Sequence, residues 1–153
     1  MWGIAPMYFK LLSSVPALEI VMHRIVWSVL VLCVLLVVRK KFSQVLLAIR
    51  DPKIITTLAI SGLLLAVNWL VFIWAVNNDK LLDASLGYFI NPIFNILLAR
   101  FFLQERLTRL QLLAAFVALA GVVFLIFSYG QLPWIALVLA TTFSVYGLLR
   151  KKV

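Results

Sequence analysis

Residues 18–38 read LEIVMHRIVWSVLVLCVLLVV, a run whose only charged or basic side chains are Glu19, His23 and Arg24. A helix needs about 20 mostly apolar residues to cross the ~30 Å hydrocarbon core of a bilayer. The run is continuously apolar and lacks the alternation of a membrane β-strand. Since only helices and closed barrels satisfy their backbone polar groups in lipid, this stretch predicts a transmembrane helix.

The composition of the whole chain extends this prediction. Hydrophobic residues make up 65% of the 153 residues, charged residues make up 12%, and the mean hydropathy is +1.14. A soluble domain is about half apolar and a quarter charged. A chain of this length cannot hide so much apolar surface in a water-soluble core. The composition therefore excludes a soluble domain and predicts an all-α, polytopic transmembrane helix bundle.

Further runs of spanning length follow along the chain. We predict helices over 54–77, 84–103 and 110–128, and a slightly short one over 132–149. The opening stretch, 1–12, is apolar but covers only about half a span. It lacks a basic leader and a cleavage site, so it does not resemble a signal peptide. We expect it to be the second half of a helix whose beginning is missing.

The net charge of +9 is distributed unevenly between the connections. The connections after the second, fourth and last predicted helices hold most cations: Arg39, Lys40, Lys41, Arg50 and Lys53; Arg100, Arg106 and Arg109; Arg150, Lys151 and Lys152. The alternate connections carry only Lys10 and Lys80. Positive loops stay in the cytoplasm, so both ends of the chain are expected there. We expect these cations to hold the topology and to contact anionic lipid rather than to bind nucleic acid.

The residue types present do not favour a metal site or a cofactor site. One cysteine and one histidine do not make a protein-only zinc site, and the single Cys33 permits no disulfide framework. The chain also has no glycine-rich phosphate loop and no GxSxG elbow. We therefore expect no cofactor, no metal and no enzymatic activity.

Polar groups at membrane depth are the best candidates for function, because each costs free energy there. Glu19 and His23 are four residues apart on one helical face, and Arg24 follows directly. A carboxylate beside an imidazole could respond to protons, since histidine side chains titrate near neutral pH. The alternative is that Glu19 is interfacial and that His23 and Arg24 snorkel or satisfy helix ends.

A polar stripe runs along the helix predicted over 84–103. Its members fall within about a third of the circumference: Ser85, Tyr88, Asn91, Pro92 and Asn95. Such a stripe favours a hydrated cavity, and Pro92 frees a backbone carbonyl to line it. The alternative is interhelical hydrogen bonding, worth under about 1 kcal/mol per pair.

Other positions are candidates for the same cavity or for packing. Asn68 and Trp69 lie mid-span in the third helix, and either could face the cavity. Trp2 could line it too, although core packing explains that side chain equally well. Ala114, Ala118 and Gly121 form a ridge of small residues that predicts close helix packing.

Several motifs together resemble the EamA-type permeases of the drug/metabolite transporter superfamily. These are ASLGYFINPIFN at 84–95, FLQERLT at 102–108, Gln111 and GVV at 121–123. The segments WGIAPMYFK at 2–10, HR at 23–24, NW at 68–69 and FIWAVNN at 72–78 are similar to the RarD branch. The resemblance covers essentially the whole chain.

The resemblance implies a ten-helix carrier made of two five-helix repeats of opposite orientation in the bacterial cytoplasmic membrane. Residues 1–128 would form the first repeat, with a truncated first helix, and 132–153 the first helix of the second. A small metabolite or drug would then bind near the midplane and move by gradient-driven alternating access. The chain would be a fragment that needs its C-terminal repeat or a homodimer partner. The spans alone are equally compatible with a non-transporting scaffold or assembly protein.

Overall fold

The computed structural model describes residues 4–102, 104, 108–130 and 132–151, without the side chains of residues 125, 126 and 129. Over these residues the chain is helical, which confirms the predicted class. The helices are α1 (Ala5–Leu11), α2 (Ala17–Val38), α3 (Phe42–Ala48), α4 (Pro52–Asn77), α5 (Leu81–Phe102), α6 (Arg109–Tyr129) and α7 (Trp134–Lys151).

Each predicted span coincides with a helix, with ends shifted by a few residues. The third predicted helix begins earlier than expected because Asp51 caps it. The Asp51 carboxylate accepts a hydrogen bond from the Lys53 backbone N–H at 2.8 Å, and Pro52 occupies the first helical position. The short helix α3 was not predicted and lies in the connection between the second and third predicted helices.

Three helices of the described chain are long and apolar enough to cross a membrane: α2, α4 and α5. Helix α6 is apolar over its shorter stretch Arg109–Phe124, and α7 is the most amphipathic of the long helices. The combination describes a multi-pass membrane protein, as the composition predicted.

Helix α7 makes the most extensive contacts in the described structure, with α5 and then with α4. It buries one face against them, through Ile135, Ala136, Leu139, Ala140 and Ser144. The main apolar cluster joins that face to the second half of α4 and to the beginnings of α2 and α5. The core therefore lies toward the end of the bundle where α4 turns into α5.

Gly87 allows α5 and α7 to approach closely. A Cβ atom at this position would lie 3.1 Å from Leu139 Cβ and 3.2 Å from the Ala136 carbonyl oxygen. Both distances are tighter than ordinary van der Waals contact, so any side chain here would push the helices apart. Helix association in lipid relies on such small residues, because hydrocarbon supplies no hydrophobic driving force between helices.

The turn between α4 and α5 is stabilised by a backbone hydrogen bond and by a side-chain ion pair. Asp79 adopts a left-handed conformation (φ 60°), and the N–H of Lys80 donates to the Ala75 carbonyl at 2.8 Å. This is the pattern of a Schellman helix stop. The Asp79 carboxylate also pairs with the Lys10 ammonium group, which attaches the end of α1 to the turn.

The small-residue ridge on α6 does not pack as predicted. No described residue of α6 is buried, and a Cβ added to Gly121 would meet nothing within 4 Å. Ala114 is exposed as well and Ala118 is half-buried, so the ridge is at most partly covered in the described structure. The close approach that small residues permit occurs instead at Gly87, where α7 supplies the partner.

Replacing Gly87 by leucine should lower the free energy of unfolding by about 1–3 kcal/mol, because overpacking displaces α7. Gly62→Leu is the matched control, since nothing lies within 4 Å of a Cβ at Gly62. It should leave stability unchanged or raise it by up to about 1 kcal/mol, because leucine is the better helix former. The measurement is unfolding in detergent by SDS titration, followed by circular dichroism. Equal losses in the two variants would contradict the proposed contact.

Candidate substrate cavity

A cavity of about 710 Å³ lies between α4, α5 and α7, with Pro6 of α1 at its wall. Helix α4 contributes Leu65, Asn68, Trp69 and Phe72; α5 contributes Leu81, Ala84, Ser85, Gly87, Tyr88 and Asn91; α7 contributes Leu139, Phe143 and Tyr146. None of these lining side chains carries a charge. Ligand pockets typically measure 300–1,000 Å³ and combine apolar walls with a few polar groups, and this cavity has both properties.

Asn68 binds α7 through its side-chain amide. Its Nδ2 donates to the Leu139 carbonyl at 2.9 Å and to the Thr142 hydroxyl at 2.8 Å. The Thr142 hydroxyl in turn donates to the Val138 carbonyl at 2.7 Å, so the hydroxyl is used as both acceptor and donor. One side-chain amide of α4 is thus hydrogen-bonded to the middle of α7.

Asn91 makes the equivalent connection between α5 and α7. Its Oδ1 accepts a hydrogen bond from the buried Ser144 hydroxyl at 2.7 Å and another from Asn95 Nδ2 at 3.3 Å. Asn95 is exposed and does not line the cavity. The cavity is therefore bordered by two asparagines, each of which holds α7 from a different helix.

Aromatic rings form a continuous wall. Trp69 meets Phe9 edge to face at a centroid distance of 6.0 Å and Phe72 at 5.8 Å, and Phe72 meets Tyr88 at 6.2 Å. T-shaped pairs at these distances contribute roughly 0.5–1.5 kcal/mol beyond the area they bury. The wall connects α1, α4 and α5, and its Trp69, Phe72 and Tyr88 all line the cavity.

Arg24 reaches this wall from α2. Its guanidinium carbon lies 3.7 Å from the Trp69 ring centroid and 5.9 Å from that of Phe9. A cation over an aromatic face gains about 0.5–2 kcal/mol, more where water is excluded. This stacking joins α2 to a ring that lines the cavity, although Arg24 itself does not line it.

The predicted site residues divide into three groups. Asn68, Trp69, Tyr88 and Asn91 line one cavity, together with Ser85 of the polar stripe. Pro92, Asn95, Glu19, His23 and Arg24 are exposed and are not among the lining residues, so the cavity does not include the Glu19–His23 pair. The two side chains also make no ion pair in the described structure. Trp2 lies outside the described residues. The roles of all these residues in binding or coupling stay predictions.

Sequence reasoning missed the contribution of α7. Phe143 and Tyr146 line the cavity, and Thr142 and Ser144 bind the two asparagines. The available signal was the spacing of Thr142 and Tyr146, which lie four residues apart on one face of α7.

Comparison with known proteins identifies the family. The model of the EamA-like transporter family matches residues 1–127. The chain belongs to the EamA-like transporter family. It is 53% identical to Protein RarD of Salmonella typhimurium over 152 residues, which are 99% of this chain and 52% of the relative. It is 48% identical to an uncharacterized transporter of Vibrio cholerae over 153 residues, all of this chain and 51% of that relative.

A more distant relative, the chloramphenicol-sensitive protein RarD of Pseudomonas aeruginosa, is 33% identical over 151 residues, which are 96% of this chain and 50% of the relative. These matches confirm the RarD-like resemblance. The chain spans about half the length of the curated relatives it matches. Relatives named as transporters point away from an enzyme. No solved structure shows a significant match.

The Asn68–Thr142 bond can be measured with a double-mutant cycle of Asn68→Leu and Thr142→Val. We expect a coupling energy of about 1 kcal/mol in the free energy of unfolding, the range found for polar pairs between membrane helices. Thr57→Val is the matched control, because that hydroxyl donates only to the Lys53 carbonyl of its own helix. A cycle of Asn68→Leu with Thr57→Val should show no coupling. A coupling that is the same for both threonines would exclude a specific α4–α7 bond.

Proposed function

We propose that the chain forms half of a membrane carrier for small metabolites or drugs, with the cavity between α4, α5 and α7 as its substrate site. The single observation that carries this proposal is the cavity itself. A non-transporting scaffold needs the same spans, but it needs no space of about 710 Å³ bordered by amides and aromatic rings. Membership of a transporter family supports the same conclusion.

The lining chemistry suits an uncharged or zwitterionic molecule with an apolar, preferably aromatic, part. Trp69, Phe72, Tyr88, Phe143 and Tyr146 offer ring surfaces. Hydrogen bonding is supplied by neutral amides and hydroxyls, which orient a ligand without requiring a counter-ion. Displacing ordered water from such a site favours binding only when the ligand replaces its hydrogen bonds.

The transport cycle we propose is alternating access. Helix α7 is held by one asparagine on α4 and by another on α5, so exchanging either bond would move α7 relative to its neighbours. A second repeat, from further chain or from a second copy, would close the open side of the cavity. The cation-rich connections would face the cytoplasm of a bacterial cell, with both ends of the chain on that side.

Coupling to an ion gradient is assigned to α2. His23 is exposed on this helix, four residues after Glu19, and the adjacent Arg24 stacks on the cavity wall at Trp69. A change in the charge of His23 would therefore act on its direct neighbour Arg24, whose side chain contacts the cavity wall. This makes His23 the proton-coupling candidate, with Glu19 and Arg24 as its neighbours.

Tyr88 and Phe89 provide a matched test of the cavity. They are adjacent aromatic residues of α5, both exposed, but only Tyr88 lines the cavity. Tyr88→Leu should weaken ligand binding at least about tenfold, because it removes a ring and a hydroxyl worth more than 1.4 kcal/mol together. Phe89→Leu should leave binding unchanged.

The binding measurement uses the chain in lipid nanodiscs, titrated with chloramphenicol and with a panel of neutral amino acids. Chloramphenicol is included because one relative is named for sensitivity to it. Proteoliposomes then report whether the ligand that binds is also moved. A ligand whose affinity falls equally in the two variants does not bind in this cavity, and the proposed site would be wrong for it.

Replacing His23 by glutamine tests the coupling assignment. In proteoliposomes, His23→Gln should abolish ligand accumulation driven by a pH gradient, because the amide cannot accept the proton. Exchange of ligand at equal pH should continue, since His23 does not line the cavity. Asn78→Ala, an exposed position at the end of α4, serves as the control. Persistent proton-driven accumulation in the His23 variant would remove this residue from the coupling path.

A further inference from the structure

The connection between α2 and α4 contains a feature that transport through the cavity does not use. It runs from Arg39 to Asp51 and holds the short helix α3. Every described residue of α3 except Ala48 is exposed, and none is buried. Helix α3 is also absent from the pairs of helices that make extensive contacts. Something outside the bundle therefore has to cover whatever apolar surface it presents.

Three apolar residues of α3 and its C-cap residue, Ile49, lie on one face. Phe42, Val45, Leu46 and Ile49 are spaced at i, i+3, i+4 and i+7, which confines them to an arc of about 100°. Their side chains are 52%, 38%, 46% and 43% exposed, respectively. The opposite side of the helix carries Ser43 and Gln44, with the exposed Leu47 between them. Helix α3 is amphipathic, and its apolar face is unpartnered in the described structure.

The backbone holds α3 at the surface where the spans end. Helix α2 stops in a Schellman turn, in which Lys40 has a φ of 52° and the N–H of Lys41 donates to the Leu36 carbonyl at 3.1 Å. Helix α4 starts at the Asp51 cap, three residues after α3 ends. Since α2 and α4 are both of spanning length, the helix between them lies at a membrane–water boundary.

The flanks of α3 are strongly basic. Five cations border the helix, namely Arg39, Lys40, Lys41, Arg50 and Lys53. The single carboxylate of the connection, Asp51, is used to cap α4. An apolar face with cations at both ends matches the chemistry of an anionic lipid surface, where acyl chains lie beneath phosphate groups.

We propose that α3 lies in the plane of the membrane, with its Phe42/Val45/Leu46/Ile49 face in the acyl boundary and its flanking cations bound to anionic phospholipid headgroups. This assignment is independent of the proposed function, because it involves no cavity residue. A protein partner is a poorer occupant, since stable interfaces bury about 800 Å² on each partner and a seven-residue helix cannot offer that area alone. A bilayer surface is already present at this position.

Fluorescent labels on the two faces of α3 test its orientation. The chain is reconstituted in vesicles of phosphatidylcholine with a minor fraction of phosphatidylglycerol, in a Cys33→Ser background that removes the native thiol. An environment-sensitive dye is attached at Leu46→Cys or, as the matched control, at Gln44→Cys. We expect blue-shifted emission and quenching by brominated lipid at position 46, and water-like emission at position 44. The same emission at both positions would overturn the in-plane orientation.

The lipid preference is measured with the label at position 46. Brominated phosphatidylglycerol should quench it more than brominated phosphatidylcholine at equal bulk fraction. Each cation near an anionic surface strengthens attraction about fivefold, so the double variant Lys41→Gln/Arg50→Gln should lose most of this preference. High salt should reduce it in the parent chain, because exposed charges are screened. Lys80→Gln, which removes a cation from another connection, is the control.

The outcomes separate the two parts of the proposal. Equal quenching by the two brominated lipids in the parent chain would overturn anionic-lipid binding, as would a preference that survives in Lys41→Gln/Arg50→Gln. Loss of preference in Lys80→Gln would also overturn it, by showing that net charge alone is responsible. Circular dichroism of each labelled variant establishes that the helices have formed, so an unfolded variant cannot be mistaken for either result.

Discussion

The close approach of α5 and α7 at Gly87 is the contact on which the rest of the described bundle depends. In lipid, two apolar helices gain little by leaving the hydrocarbon, so their association relies on dispersion contacts and interhelical hydrogen bonds. A glycine on α5 lets the backbone of α7 come within reach of both. The buried face of α7, the Asn68 bond and the Asn91 bond all require that distance.

The cavity lies directly beside this contact, since Gly87 and Leu139 are among its lining residues. Where Gly87 meets Ala136 and Leu139, the helices touch, whereas the larger Trp69 and Phe72 of α4 and Tyr88 of α5 pack edge to face with one another. The cavity lies beside these rings. The polar groups that border the cavity also make hydrogen bonds within the protein. Asn68 and Asn91 hold α7 as well, so binding at the cavity and the position of α7 are physically linked.

Part of the candidate site could be predicted from the sequence. The parts that were not predicted share one cause. The stripe from Ser85 to Asn91 is visible from periodicity alone, because one helix presents residues of similar spacing on one face. The omission of Asn95 from the cavity wall was not visible, since it depends on where α7 lies along α5. Glu19 and His23 share a face, but the packing of α2 decides which way that face points. Tyr146 and Phe143 were missed because the sequence of α7 does not indicate which helices it packs against.

The sequence by itself determined that this chain is a helical membrane protein, where its spans lie, and which family it belongs to. Those properties depend on local quantities, namely the length of apolar runs, the density of charge and motifs of neighbouring residues. Tertiary structure alone decided that α7 docks between α4 and α5, that an arginine of α2 stacks on Trp69, and that Ala114 and Gly121 of α6 stay exposed. These outcomes depend on distances between segments far apart in the chain. In lipid, where hydrophobicity does not select partners, shape and a few hydrogen bonds make that selection.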